Sequence, residues 1–278
     1  MKKIEELLKS NFQIELLTAA TENLKDKTNK LQLNNYAYSM RELSRHMLKS
    51  LAPNEDVLTC SWYRNETGKK NDVSRGERIK YAIQGGLDNT FVDNEIIEIE
   101  YLNELKTEIT KSIAILNKYT HINEESFNMD NEDINKISNK VNKAFIKFAE
   151  TINECRDIII SKLEDKISNE FIEHTMSESI TEIELMSTHS QVEYIIPVHI
   201  KIIKIESANS IIIEVEGNVG VRLQYGSDGD QRRGNGAVMN NSFPFSSTLE
   251  AKVGKKLKYS NVTIASFEVN TDSWYGEE

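Results

Sequence analysis

Cysteine is nearly missing from this chain. Cys60 and Cys155 are the two in 278 residues. A single distant pair supports neither a disulfide framework nor a zinc site of the C-x2-C kind. Long apolar runs are missing too: no segment approaches the ~20 apolar residues that a membrane helix needs. The opening "MKKIEELLKSNFQIELL" has early lysines but no continuous apolar stretch, so no signal peptide is expected and the chain reads as cytoplasmic. Positive charge is short, with 34 Lys and Arg against 44 Asp and Glu and a net charge of −10. That argues against a surface that coats nucleic acid throughout, and leaves room for a local basic groove. Histidine is scarce, at five, and no pair has H-x3-H spacing. His199 alternates outward on a strand pattern, and His121, His174 and His189 lie near element ends. P-loop, Rossmann and G-x-S-x-G patterns are absent as well.

What is present changes character near residue 175. Eight of the 12 glycines fall at Gly217 or later, and Pro197 and Pro244 also lie past residue 175. Helices exclude Gly and Pro while hairpins recruit them, so an α part is expected to precede a β part. The expected division is a helical bundle over 1–175 and a β domain over 176–278. The fold class is therefore α+β: an antiparallel helical bundle, then a small antiparallel β-sandwich or partly open barrel.

In the α part, "IEELLKSNFQIELLTAATENL" carries Leu7, Phe12, Leu16 and Leu17 near helical period. "NNYAYSMRELSRHMLKSLAP" puts Tyr36, Met40, Leu43, Met47 and Leu51 on one stripe, with Asn34 or Asn35 as cap and Pro53 as stop. Ser74 is expected to cap "SRGERIKYAI", and Gly85-Gly86 to end it. Long helical patterns follow at 94–119 and 131–173. In the β part, "QVEYIIPVHIKI" alternates, with Val192, Tyr194, Ile196, Val198, Ile200 and Ile202 on one face. Pro197 favours an edge strand or a bulge. "SANS" turns the chain, and "IIIEVEG", "VGVRLQY", "TLEAKV" and "VTIASFEV" bring the expected strands to five or six.

Three stretches could carry chemistry. The first is "RELSRH". Cleaving RNA without metal needs a base for the 2′-hydroxyl, an acid for the leaving oxygen and a cation for the phosphorane. On a helix, Arg41 and Arg45 lie about 40° apart, with His46 about 140° from Arg41. A second helix or a second subunit would have to complete such a site. The bland alternative is a solvated helix face on which Glu42 offsets an arginine.

The second stretch, "RNETGKKNDVSRGERIKYAIQGGL", packs Arg64, Lys69, Lys70, Arg75, Arg78 and Lys80 into an acidic chain. Trp62, Tyr63 and Tyr81 interleave. Cations with aromatics suit a phosphate-tracking, base-stacking surface; a charged loop with Trp62 covering the bundle is the alternative. The third, "QYGSDGDQRRGNGA", has Asp228 and Asp230 spaced to share a divalent cation, and Arg232 and Arg233 to hold a phosphate. No further carboxylate nearby completes a metal nuclease, so no metal ligands are assigned and no cofactor is expected. A long glycine-rich hairpin loop explains the same residues.

The "RELSRH" spacing on a helix resembles the Arg-x4–6-His signature of HEPN domains, all-α ribonuclease or nucleotide-binding domains of bacterial defence and toxin systems. The resemblance implies cleavage without metal at a dimer interface by Arg41 and His46. Two features depart from that pattern: Glu42 follows the arginine where Asn, Asp or His is usual, and the helix comes early. More broadly, "ELSRHMLKSLAP", "SWY", "RIKYAIQGGL" and "LQYGSDGDQRRGNGA…NSFPF" resemble the predicted PIWI-associating nuclease families of bacteria, over Tyr36 to Phe245. This second resemblance implies a role in genome conflict or antiphage defence and identifies no catalytic residue.

The leading expectation is a nuclease-type defence effector that cleaves RNA. Arg41 and His46 would be its catalytic pair, Arg45 its phosphate clamp, and 62–81 its guiding surface. Expected partners are RNA or another nucleic acid and a defence-system protein, with a homodimer as the assembly and no membrane. The alternative is a non-catalytic protein whose β domain binds a ligand or partner through 226–236 while the bundle dimerises. A metal nuclease using Asp228 and Asp230 is a third reading.

Overall fold

The computed structural model describes residues 2–127, 129–206 and 209–276. Helices come first: α1 (Lys2–Glu5), α2 (Asn11–Asn23), α3 (Gln32–Leu51), α4 (Asn54–Leu58), α5 (Arg75–Gln84), α6 (Asn89–Glu95), α7 (Ile99–Tyr119), α8 (Glu124–Phe127), α9 (Asn131–Ser177) and α10 (Thr181–Glu184). Strands follow: β1 (His189–Ile205), β2 (Ser210–Tyr225), the short α11 (Asp228–Arg232), β3 (Ala237–Lys252) and β4 (Asn261–Val269), then α12 (Asp272–Tyr275). The chain divides into two compact units, Met1–Asp157 and Ile158–Glu278, so the division falls within α9. No helix among the described residues is long and apolar enough to cross a membrane.

The first unit is built around α3. Twelve of its 20 residues are buried. Tyr36, Met40, Leu43 and Met47 meet Leu102, Leu105, Ile109 and Ile113 of α7 and Val141, Phe145, Phe148 and Ile152 of α9 in one core. Each such side chain, fully buried, contributes ~1.5–3 kcal/mol of transfer free energy. Helix starts follow the expected chemistry in part. Ser74 and Glu77 form a capping box at α5, and Gly85 ends that helix with φ +60°. Asn34 is no cap, because α3 already begins at Gln32. Its buried side chain instead donates to the Tyr119 carbonyl at 2.9 Å and to Ser126 Oγ at 3.2 Å. The first helical run breaks at Ser10, whose hydroxyl caps α2, and Phe12 is left 52% exposed rather than in the core stripe.

Among the described residues, the second unit holds one four-stranded antiparallel sheet in the order β1-β2-β3-β4, not two packed sheets. Fewer and longer strands than expected account for it. "IIIEVEG" and "VGVRLQY" are one strand, because Gly217 makes room rather than a turn. A Cβ there would lie 2.7 Å from the Phe245 ring and 2.2 Å from the Ile196 carbonyl oxygen. Ile211, Ile213, Val215, Val219, Val221 and Leu223 of β2 share the buried face with Phe243, Phe245 and Leu249 of β3. Phe171 of α9 packs on that face, 5.2 Å from Phe245 and 6.1 Å from Phe267 between ring centroids.

The alternation expected for β1 is broken by register shifts at Val192/Tyr194, Pro197/His199 and Ile202/Lys204. Each bulge adds a residue and switches the face. Tyr194, Ile196 and Val198 therefore end up exposed, while Val192, Ile195 and Ile200 pair with the buried-face residues Val221, Val219 and Val215. Pro197 sits on the edge strand beside one bulge. Pro244 lies just beyond the last β3–β4 pair, Phe245 with Val269, and its carbonyl accepts from Asn270 N–H at 2.9 Å. Its missing N–H therefore breaks no ladder bond. Of the expected "SANS" turn, Ser207 and Ala208 lie outside the described residues, and Asn209 takes a left-handed φ of +57°.

Candidate functional site

Most of α3 is buried, so its exposed surface is one narrow stripe. Tyr38, Arg41, Glu42, Arg45, His46 and Lys49 occupy it, within about 140° of arc. The stripe is wired as a chain. Asn117 of α7 accepts from Arg41 Nε at 2.7 Å. Arg41 Nη1 reaches Glu42 Oε1 at 3.0 Å, and Arg45 Nε reaches Glu42 Oε2 at 2.8 Å. Arg45 Nη2 then lies 2.8 Å from His46 Nε2. The three residues singled out by spacing are thus brought together, although Arg41 and His46 do not touch directly. Two intermediaries, Glu42 and Arg45, join them.

Proton positions follow from chemistry. A guanidinium has only donors, so Nε2 of His46 must accept and the ring proton must sit on Nδ1. Nδ1 has no hydrogen-bond partner among the described residues. Phe12 of α2 holds the ring edge-on, with centroids 5.1 Å apart. The stripe therefore presents two guanidiniums able to grip phosphate oxygens and one imidazole with a free N–H. Glu42 is the least exposed of the ionic group, at 19% against 36% for Arg41 and 45% for Arg45, and it competes with any phosphate for both arginines.

The 62–81 window divides in two. Trp62 is 3% exposed, donates from Nε1 to the Gly85 carbonyl at 3.1 Å and meets Tyr81, which is also buried. Lys80 lies over the Trp62 ring, 4.7 Å from its centroid. Burial lowers the Lys80 ammonium from its ordinary value. Tyr63 is half-buried, and its hydroxyl donates to the Asp72 carbonyl at 2.8 Å. Arg78 is buried and donates to the Ala52 carbonyl and to Asn54 Oδ1. Ala52 is the C-cap of α3, so this guanidinium sits where the helix dipole favours a cation. Buried Glu77 gathers the loop by accepting from the N–H groups of Arg64, Glu66 and Ser74. Only Arg64, Lys69, Lys70 and Arg75 stay exposed. Two of the six cations, Arg78 and Lys80, thus help to build the bundle around α3, and the other four face solvent.

The 226–236 segment is a capped helical turn between β2 and β3. Ser227 and Asp230 form a capping box for α11. Asp230 also takes Arg233 Nη2 at 2.8 Å, and Asp228 Oδ1 accepts from Gln224 Nε2 at 2.9 Å. Each aspartate is thus committed to its own partners. No group of three or more His, Cys, Asp or Glu among the described residues could hold a metal ion. Arg232 and Arg233 are exposed, and α11 buries no residue. Cys60 and Cys155 are buried thiols, each pushed up to about 12 by burial, which makes them poor nucleophiles.

Sequence reasoning missed Asn117, Phe12 and Tyr38 as parts of the stripe. Asn117 lies 76 residues from Arg41, and only packing of α7 on α3 brings it there. Phe12 carried the signal of a core residue. Comparison with known proteins adds a family. Two family models, both described as "Predicted pPIWI-associating nuclease", match residues 5–145 and residues 152–275. No curated protein and no solved structure matches the chain.

Proposed function

This chain belongs to the predicted pPIWI-associating nuclease family, and we propose that it is a nuclease-type effector of bacterial antiphage defence that cuts RNA without metal at the α3 stripe. The observation that carries the reading is the chain of 2.7–3.0 Å contacts from Asn117 through Arg41, Glu42 and Arg45 to His46. Arg41 and Arg45 would bind the scissile phosphate, displacing Glu42, and stabilise charge on the phosphorane. With Arg45 drawn to the phosphate, Nε2 of His46 is released to take a proton, and the imidazolium so formed would protonate the departing 5′-oxygen. The 2′-oxygen, once deprotonated, attacks phosphorus and leaves a cyclic phosphate. One His46 cannot be both acid and base in the same step. We therefore assign the base to the same stripe of a second protomer in a two-fold homodimer.

Purified protein incubated with single-stranded RNA in EDTA tests this. Cleavage in the chelator supports the reading; cleavage only with Mg2+, or none at all, defeats it. A second reading has two observations in its favour. Glu42 already satisfies both arginines, and exposed Arg232 and Arg233 stand on a turn that packs no core. In that reading the protein is non-catalytic, recognises a ligand or a defence-system partner through 226–236, and dimerises through the bundle.

A further inference from the structure

Two exposed aromatic rings bracket the cationic part of the stripe. Tyr38 is 59% exposed and Phe12 52% exposed, although each lies within a turn or two of fully buried core residues. Along α3, Tyr38 stands one turn before Arg41 and Glu42. His46, with Phe12 against it, lies two turns beyond Tyr38, about 12 Å along the axis. Arg41 and Arg45 fall between the two rings, and Lys49 extends the positive charge past them. Against one carboxylate, Glu42, the stripe sets three cations.

Solvent-facing rings at both ends of a guanidinium pair suit a ligand with flat apolar faces and anionic links. Unpaired nucleobases joined by phosphates have that chemistry. Duplex bases do not offer their faces, because they are stacked on one another. We propose that Tyr38 and Phe12 are base-stacking residues, and that the stripe takes single-stranded nucleic acid with the phosphate on Arg41 and Arg45 and flanking bases on the two rings. This rests on the reading of the stripe as a nucleic-acid site, and it adds the strand class and the residues that select it. Stacking tolerates every base, so selection is for unpaired strand rather than for a particular sequence.

The test uses full-length protein carrying His46→Ala, in EDTA, and a fluorescent single-stranded RNA with its duplex as control, read by anisotropy. Tyr38→Ala and Phe12→Ala should each weaken single-strand binding by about tenfold, with little change for duplex. Tyr38→Phe, which keeps a ring, should bind like its parent. Alanine variants that bind within about twofold of the parent overturn the inference. So does equal weakening of single strand and duplex, and so does a dimer that falls to monomer by light scattering on Tyr38→Ala, which would make the rings a protein interface. If Arg41→Ala and Arg45→Ala abolish binding while the aromatic variants do not, the stacking role falls and the phosphate site stands. If the parent does not bind single-stranded RNA, both fall.

Discussion

Arg45 Nη2 lies 2.8 Å from His46 Nε2, and this single contact sets the tautomer of the one histidine on the stripe. The guanidinium cannot accept, so neutral His46 carries its proton on Nδ1. Long-range proton–nitrogen NMR at alkaline pH should find the Nδ1–H form dominant in the wild type. It should find a shift toward the Nε2–H form in Arg45→Ala. A wild-type ring protonated mainly on Nε2 would contradict the geometry.

Trp62 should behave as a core residue. It is 3% exposed and its indole N–H satisfies the Gly85 carbonyl. Trp62→Ala is expected to cost ~3–5 kcal/mol in urea unfolding. Trp62→Phe should cost less, because it keeps an aromatic ring under Lys80 and loses the hydrogen bond and part of the indole's volume. A near-neutral Trp62→Ala would return this residue to the surface.

Gly217 and Gly220 should respond differently to alanine. At Gly220 the new Cβ would lie 2.1 Å from Tyr194 Cε1, and Tyr194 is 46% exposed. At Gly217 it would lie 2.2 Å from the backbone oxygen of Ile196. A side chain can swing away; a strand carbonyl in the ladder cannot. Gly217→Ala is expected to cost ~1–3 kcal/mol or more, and Gly220→Ala less. Adding Tyr194→Ala should rescue Gly220→Ala and leave Gly217→Ala unrescued. Equal costs, or rescue of both, would contradict the register.

The turn at α11 should be acid-labile. The hydroxyl of Ser227, the guanidinium of Arg233 and the Ser227 N–H together hold the Asp230 carboxyl below its ordinary value of 3.8. A depressed folded value means that the cap's contribution is complete above the ordinary value and is lost as pH falls through the lower one. Amide shifts of 227–233 should be flat at neutral pH and move only below about pH 4. Replacing both Arg232 and Arg233 by Ala should move Tm by no more than about 2 °C. A larger drop would make these arginines structural.

Much of the first unit was legible because its signals are local. The stripe of Tyr36, Met40, Leu43, Met47 and Leu51, the Ser74 cap and the Gly85 stop each depend on residues within a turn of one another. The sheet was less legible. A bulge at Val192/Tyr194 is invisible to a period-two reading, and one inserted residue reverses the assignments up to the next bulge, as at Tyr194, Ile196 and Val198, while Ile200 and Ile202 return to the expected face. "IIIEVEG" and "VGVRLQY" read as separate strands because single-sequence reasoning cannot see the Phe245 ring lying over Gly217. At the candidate site, the placing of Arg41, Arg45 and His46 on one stripe of α3 follows from their spacing on one helix. Asn117 could not, since its position depends on how α7 packs against α3.

The central claim is that His46 of the α3 stripe does acid–base chemistry on RNA. The most direct measurement is the single-turnover cleavage rate of single-stranded RNA in EDTA by wild type and His46→Ala. The account predicts cleavage by the wild type and a rate at least ~100-fold lower in the variant, with the fold intact by circular dichroism. Equal rates for the two proteins would contradict it.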